Sequence, residues 1–181
     1  MKNGIVGWVE CNETHRSAFH GEVSFMLDLY LTLKTIHIIS ATALFGTGAG
    51  SAYYMLRAHL SDDVHAIAVT TKHVVAADWL FTTTSGIVQP ITGVWMAWLV
   101  GLPLTTTWIL WSFILYLVAG ACWLPVVWLQ YRIRDMAQQA LADGTPLPPR
   151  YYRYMRIWFL LGWPAFISLV VVFFLMVFRP V

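Results

Sequence analysis

WLFTTTSGIVQPITGVWMAWLVGLPLTTTWILWSFILYLVAGACWLPVVWLQY, residues 79–131, decides how this chain folds. No Asp, Glu, Lys or Arg interrupts it. Near its middle, Gly101-Leu102-Pro103-Leu104-Thr105 supplies helix breakers without a charge. The stretch therefore reads as two apolar helices, residues 79–100 and 108–129, joined by a tight turn. At 1.5 Å per residue each helix extends about 33 Å, enough for a hydrocarbon core about 30 Å thick.

Two further charge-free segments of 22 residues flank it, at 35–56 and 157–178. Four such helices have no polar face to turn toward water. Composition agrees: 59% of the 181 residues are hydrophobic and 11% are charged, against about 25% charged in a soluble domain. A soluble enzyme and a disordered chain are both excluded on that ground. The net charge of +2 comes with no basic run, so nucleic acid is not an expected partner. Two cysteines cannot build a disulfide scaffold or a structural zinc site. The expected architecture is an all-α integral membrane protein, a four-helix antiparallel bundle in contact with the lipid bilayer.

Charge distribution sets the orientation. Arg57, Lys72, Arg132, Arg134, Arg150, Arg153 and Arg156 flank the connections between the first and second and between the third and fourth spans. The opposite side holds Lys2, Arg16, Lys34 and Arg179. Both termini are therefore expected outside, which in a bacterial inner membrane is the periplasm.

The transmembrane domain is expected to occupy residues 26–181. Residues 1–25 contain Glu10, Glu13 and Glu22 and lack the apolar core of a signal peptide, so they read as a tail or a mispredicted extension. Cys11, His15 and His20 fall there, at a spacing that matches no common metal site. Beyond the third span, residues 130–142 alternate Arg132, Arg134, Asp135, Gln138 and Gln139 with Ile133, Met136, Ala137 and Leu141, an amphipathic extension. Gly144 and the prolines at 146, 148 and 149 should end it. The run from Arg150 to Arg156, with three Tyr and three Arg, reads as an interfacial belt. Pro90, Pro125 and Pro164 each remove a helix hydrogen bond, freeing the carbonyls of Gly86, Ala121 and Leu160.

Within the four apolar cores the only ionisable side chain is His37. An ionisable group at that depth is a functional candidate by default. Positions 37, 41, 44, 48 and 52 share a helix face, read His37, Ala41, Leu44, Gly48 and Ala52, and have Ser40 and Ser51 beside them. Small neighbours leave room for a flat cofactor; equally, Gly46 and Gly50 form a GxxxG pair that suits close helix packing. His37 can be a metal ligand, with haem as the cofactor, or a histidine hydrogen-bonded to a neighbouring helix. Met96 and Met176 lie at a similar depth and could supply a thioether ligand, or serve only in packing. His59, His65 and His73 fall at the other end and are expected to be solvated. Thr82, Thr83, Thr84, Ser85 and Gln89 add polar groups to the second span, for which bonds within or between helices are a sufficient account.

Leu33-Lys34-Thr35-Ile36-His37-Ile38-Ile39, followed by Arg57 and His59, resembles the first helix of the HemJ-type protoporphyrinogen IX oxidases and of CopD-like membrane proteins. The tail Met176-Val177-Phe178-Arg179-Pro180 is also similar to the HemJ type. The resemblance implies a b-type haem (haem b) on His37. It departs elsewhere. Trp108-Ile109-Leu110-Trp111-Ser112 lacks the histidine and lysine that open the third HemJ helix, and Gly162-Trp163-Pro164 lacks the acidic residue before proline. Asp78-Trp79-Leu80-Phe81, Gln89-Pro90, Cys122-Trp123-Leu124-Pro125 and residues 158–164 resemble more closely an uncharacterised family of predicted bacterial integral membrane proteins. Three functions follow as expectations. The first is a b-type haem protein in electron transfer, exchanging electrons with a quinone or a membrane redox partner. The second is a porphyrinogen-oxidase-like enzyme, disfavoured by the missing cation and base. The third is a cofactor-free structural or assembly subunit of a membrane complex.

Overall fold

The computed structural model describes the backbone of residues 3–180 and the side chains of residues 21–180. Among these residues the chain is all-helical. Helix α1 runs Asn3–His59, α2 Val64–Ala77, α3 Thr84–Leu99, α4 Thr107–Asp143 and α5 Pro149–Phe178. A π-helical turn, Asp78–Thr83, joins α2 to α3 without a break, because Asp78 and Thr84 both keep right-handed helical dihedrals. Three helices are long and apolar enough to cross a membrane: the part of α1 from Gly21 to His59, α4, and α5. The metal-binding group considered at Cys11, His15 and His20 lies outside the described side chains.

The helix ends follow local chemistry. Asp63 caps α2 by accepting a hydrogen bond from the His65 amide at 2.9 Å. Gly144 closes α4 in the left-handed region at φ 63°, and the Thr145 amide reaches back to the Ala140 carbonyl at 3.0 Å. Gly101, at φ 67°, opens the turn between α3 and α4. The amphipathic extension forms as expected: it continues α4 to Asp143, buries Ile133, Ala137 and Ala140, and ties itself to α2 where Gln138 Nε2 donates to the Ala68 carbonyl at 2.8 Å.

Burial divides the molecule into two regimes. The hydrophobic core sits at one end, where Met55, Ile67, Ala68, Leu129, Ile133, Tyr151, Met155 and Trp158 pack between α1, α2, α4 and α5. Along the rest of the spans, apart from Leu33, the buried side chains are small or polar, among them Ser40, Ser51, Ser85, Thr92, Ala97, Ser112, Ala119 and Ser168. Large apolar side chains such as Ile39, Trp98, Leu117, Leu160 and Val177 point outward. A water-soluble bundle would show the reverse. In lipid no hydrophobic force drives Leu or Ile inward, so close approach favours small residues inside.

Three expectations change. Tyr151 does not belong to an interfacial belt: it is fully buried in the core, within 3.4 Å of His59 Nδ1. One helical turn of α5 must face inward here, and position 151 lies on the same face as Met155 and Trp158. His59 is accordingly half-buried rather than solvated, whereas His65 and His73 are exposed. The GxxxG pair makes no close packing within the chain either. A Cβ placed on Gly46, Gly48 or Gly50 would meet nothing within 4 Å.

Candidate functional site

His37 sits in α1 facing α3. Its Nδ1 lies 2.7 Å from the Thr92 hydroxyl oxygen. Thr92 itself is 2.7 Å from the Val88 carbonyl, one turn back on its own helix. A hydroxyl has one proton, and two oxygens that close need it between them, so Thr92 donates to Val88. Thr92 must then accept from His37, which places the imidazole proton on Nδ1. The other nitrogen, Nε2, keeps its lone pair and makes no hydrogen bond among the described residues. Orienting a histidine by a hydrogen bond from the nitrogen that does not ligate is the usual arrangement around a metal.

A second bond set fixes the backbone beneath the ring. Gln89 Nε2 donates to the His37 carbonyl at 2.7 Å and approaches Ser40 Oγ at 2.5 Å; Ser40 in turn donates to the His37 carbonyl at 3.1 Å. Gly93 lets the ring lie against α3: a Cβ there would stand 3.4 Å from His37 Cε1. Alanine just fits at this position, and a branched side chain does not. Gly93→Val is expected to push the imidazole off Thr92, readable as an altered His37 ring resonance in an NMR spectrum of histidine-labelled protein. An unmoved resonance would contradict this packing.

Pro90 explains another contact. Its missing N–H frees the Gly86 carbonyl, as the sequence predicts, and the Tyr116 hydroxyl of α4 donates to that carbonyl. Apart from such contacts, α3 makes almost no close backbone approach to α4 or α5 among the described residues, although α1 packs on α3 and α4 packs on α5. Met96 is half-buried one turn beyond Thr92, and Met176 is half-buried on α5. No three His, Cys, Asp or Glu side chains converge on a common point among the described residues, at His37 or elsewhere.

A model of the family described as predicted integral membrane protein (DUF2269) matches residues 31–180. The chain belongs to that family. Its membrane character, and hence contact with a lipid bilayer, follows from the same match. The DUF2269 match includes His37, Gln89 and Thr92. No curated protein and no solved structure matches the chain.

One group escaped the sequence reading. Asp78, at the start of the π-helical turn, is only 5% exposed. The Thr82 hydroxyl donates to its carboxylate at 3.0 Å. It borders a cavity of about 340 Å³, walled by Trp79, Trp123, Leu124, Gln130 and Tyr131. The sequence places Asp78 just outside the charge-free run, beside Trp79. Asp78 continues the buried face that Ile67, Thr71 and Val74 set along α2, and π turns of the kind that follows it recur at functional sites.

Proposed function

We propose that this chain is a b-type haem-binding integral membrane protein working in electron transfer, with His37 Nε2 as an axial ligand. The observation that carries the reading is the hydrogen bond from His37 Nδ1 to Thr92, which leaves Nε2 free to coordinate. The donor set fits a haem better than a free metal ion, because one neutral imidazole holds a porphyrin iron but makes a poor site alone. The small residues along α1, where a Cβ on Gly46, Gly48 or Gly50 would meet nothing within 4 Å, suit a flat group as well. The resemblance of residues 33–39 to the first HemJ helix points the same way.

The proposed membrane arrangement is four antiparallel spans with both termini outside, in a bacterial inner membrane. The second span is the continuous run through the π turn and α3, and α1, α4 and α5 supply the others. Bound haem would supply a one-electron couple. The chain's own residues would hold and tune it. Thr92 orients the imidazole, Gln89 and Ser40 fix its backbone, and the apolar spans exclude water. A quinone or a membrane redox partner would exchange the electrons. The residues at 108–112 offer no cation or base for oxidising a porphyrinogen, so transfer of electrons is favoured over that reaction.

The test is an absorption spectrum of the detergent-purified protein from haem-replete cells, before and after dithionite. A Soret band with b-type α and β bands is expected. A flat visible spectrum would remove the cofactor and leave the His37–Thr92–Gln89 network as a clamp between α1 and α3.

A further inference from the structure

The cavity beside the π turn plays no part in the haem reading. One neutral donor reaches the Asp78 carboxylate, the Thr82 hydroxyl at 3.0 Å, and the side chains of Gln130 and Trp123 line the same cavity. The Trp123 N–H closes no hydrogen bond there or elsewhere. Neutral donors solvate a carboxylate but do not neutralise it, and a buried carboxylate without a counter-charge is costly. Among the described residues no Lys, Arg or His lies within ion-pair distance of Asp78. Arg134, whose guanidinium stacks on the cavity-lining Tyr131 ring at 4.7 Å, is committed to Asp135 at 2.7 Å.

The walls describe what the missing partner looks like. Trp79 donates its indole N–H to the Tyr131 hydroxyl, which fixes the two rings against each other beside Asp78. Trp123 supplies a third aromatic wall. Aromatic walls around a carboxylate are the chemistry that binds an organic cation. At the rim, Trp79 is 55% and Leu124 66% exposed, so the cavity opens on the outer surface of the helices, which in a bilayer meets acyl chains. We infer that the cavity binds a lipophilic organic cation, an ammonium or phosphonium centre on an apolar body, with Asp78 as its counter-ion. Its volume of about 340 Å³ falls within the ordinary range for a small-molecule site.

The full chain in a neutral maltoside detergent would be titrated calorimetrically with tetraphenylphosphonium, and in parallel with uncharged triphenylphosphine oxide. Saturable binding of the cation is expected, with the neutral compound weaker by about tenfold or more. Asp78→Asn should abolish that preference, and His37→Ala should leave it intact, which separates this site from the haem. Equal binding of both compounds, no saturable binding, or an unchanged affinity in a folded Asp78→Asn protein would each overturn the proposal. Should Asp78→Asn fail to fold, the preference of the wild-type protein for the charged compound decides alone. Repeating the titration in nanodiscs of phosphatidylethanolamine and of phosphatidylcholine identifies the source. Displacement of the probe by either lipid assigns a lipid ammonium, because both headgroups carry one; displacement by neither assigns a free amphipathic cation.

Discussion

With haem on His37 as proposed, His37→Ala is expected to abolish the b-type Soret band, because no other described side chain stands ready to replace Nε2. His59, His65 and His73 all belong to the end of the molecule that holds the hydrophobic core or the turn beside it, and His59 is engaged with Tyr151. A thioether ligand alone, from Met96 or Met176, would at most retain a weak and shifted spectrum. Thr92→Val makes the complementary change. It is close in shape but leaves the Nδ1 proton without an acceptor, so the imidazole loses its fixed orientation. Haem should still bind, with affinity down about 10–100-fold, and the reduction potential should move. The pair of variants separates ligation from positioning. An unchanged spectrum in His37→Ala would end the assignment of this residue. A Thr92→Val protein with wild-type affinity and potential would show that the hydrogen bond does not tune the site.

Much of this architecture is legible in the sequence because lipid imposes a coarse rule. Long charge-free runs, a proline-glycine turn at 101–105 and a glycine stop at 144 require no knowledge of tertiary contacts. His37 stands out for the same reason, being an ionisable group where such groups are expensive. Its partners do not stand out. Thr92 is one of many hydroxyl residues in the chain, and only the packing of α1 on α3 reveals that it accepts the imidazole proton. Gln89 reads as a polar residue beside a proline until its amide is seen on the His37 carbonyl. Asp78 was hidden by a different cause. It sits on the buried face of α2 with Thr71 and Val74, but the sequence gives that helix no long apolar run from which its inward face could be read. Tyr151 illustrates the same limit from the other side. An Arg/Tyr-rich run suggests a belt, but which tyrosine faces inward is set by the docking of α5 on α4 and α1.

The division of burial between the two ends has a measurable consequence for stability. Ile133 is 0% exposed in the α4 extension, against α2, and Leu160 is 70% exposed on the span of α5. The truncations Ile133→Ala and Leu160→Ala remove similar amounts of hydrocarbon from very different places. At Ile133 the deletion leaves a cavity in the one tightly packed part of the molecule, in a segment whose outer face carries Arg132, Arg134 and Asp135 and so meets water. Such deletions typically cost about 2–5 kcal/mol. At Leu160 the side chain touches acyl chains in the folded protein and in a membrane-inserted unfolded state alike, so its loss should cost within about 0.5 kcal/mol. Unfolding in bicelles, followed by circular dichroism, would compare the two variants with the parent protein. A marked loss at 133 with little change at 160 is the expected pattern. Equal losses would mean that the exposed face of α5 packs against protein and not lipid. A negligible loss at 133 would mean that the α2–α4 packing contributes little to the folded state.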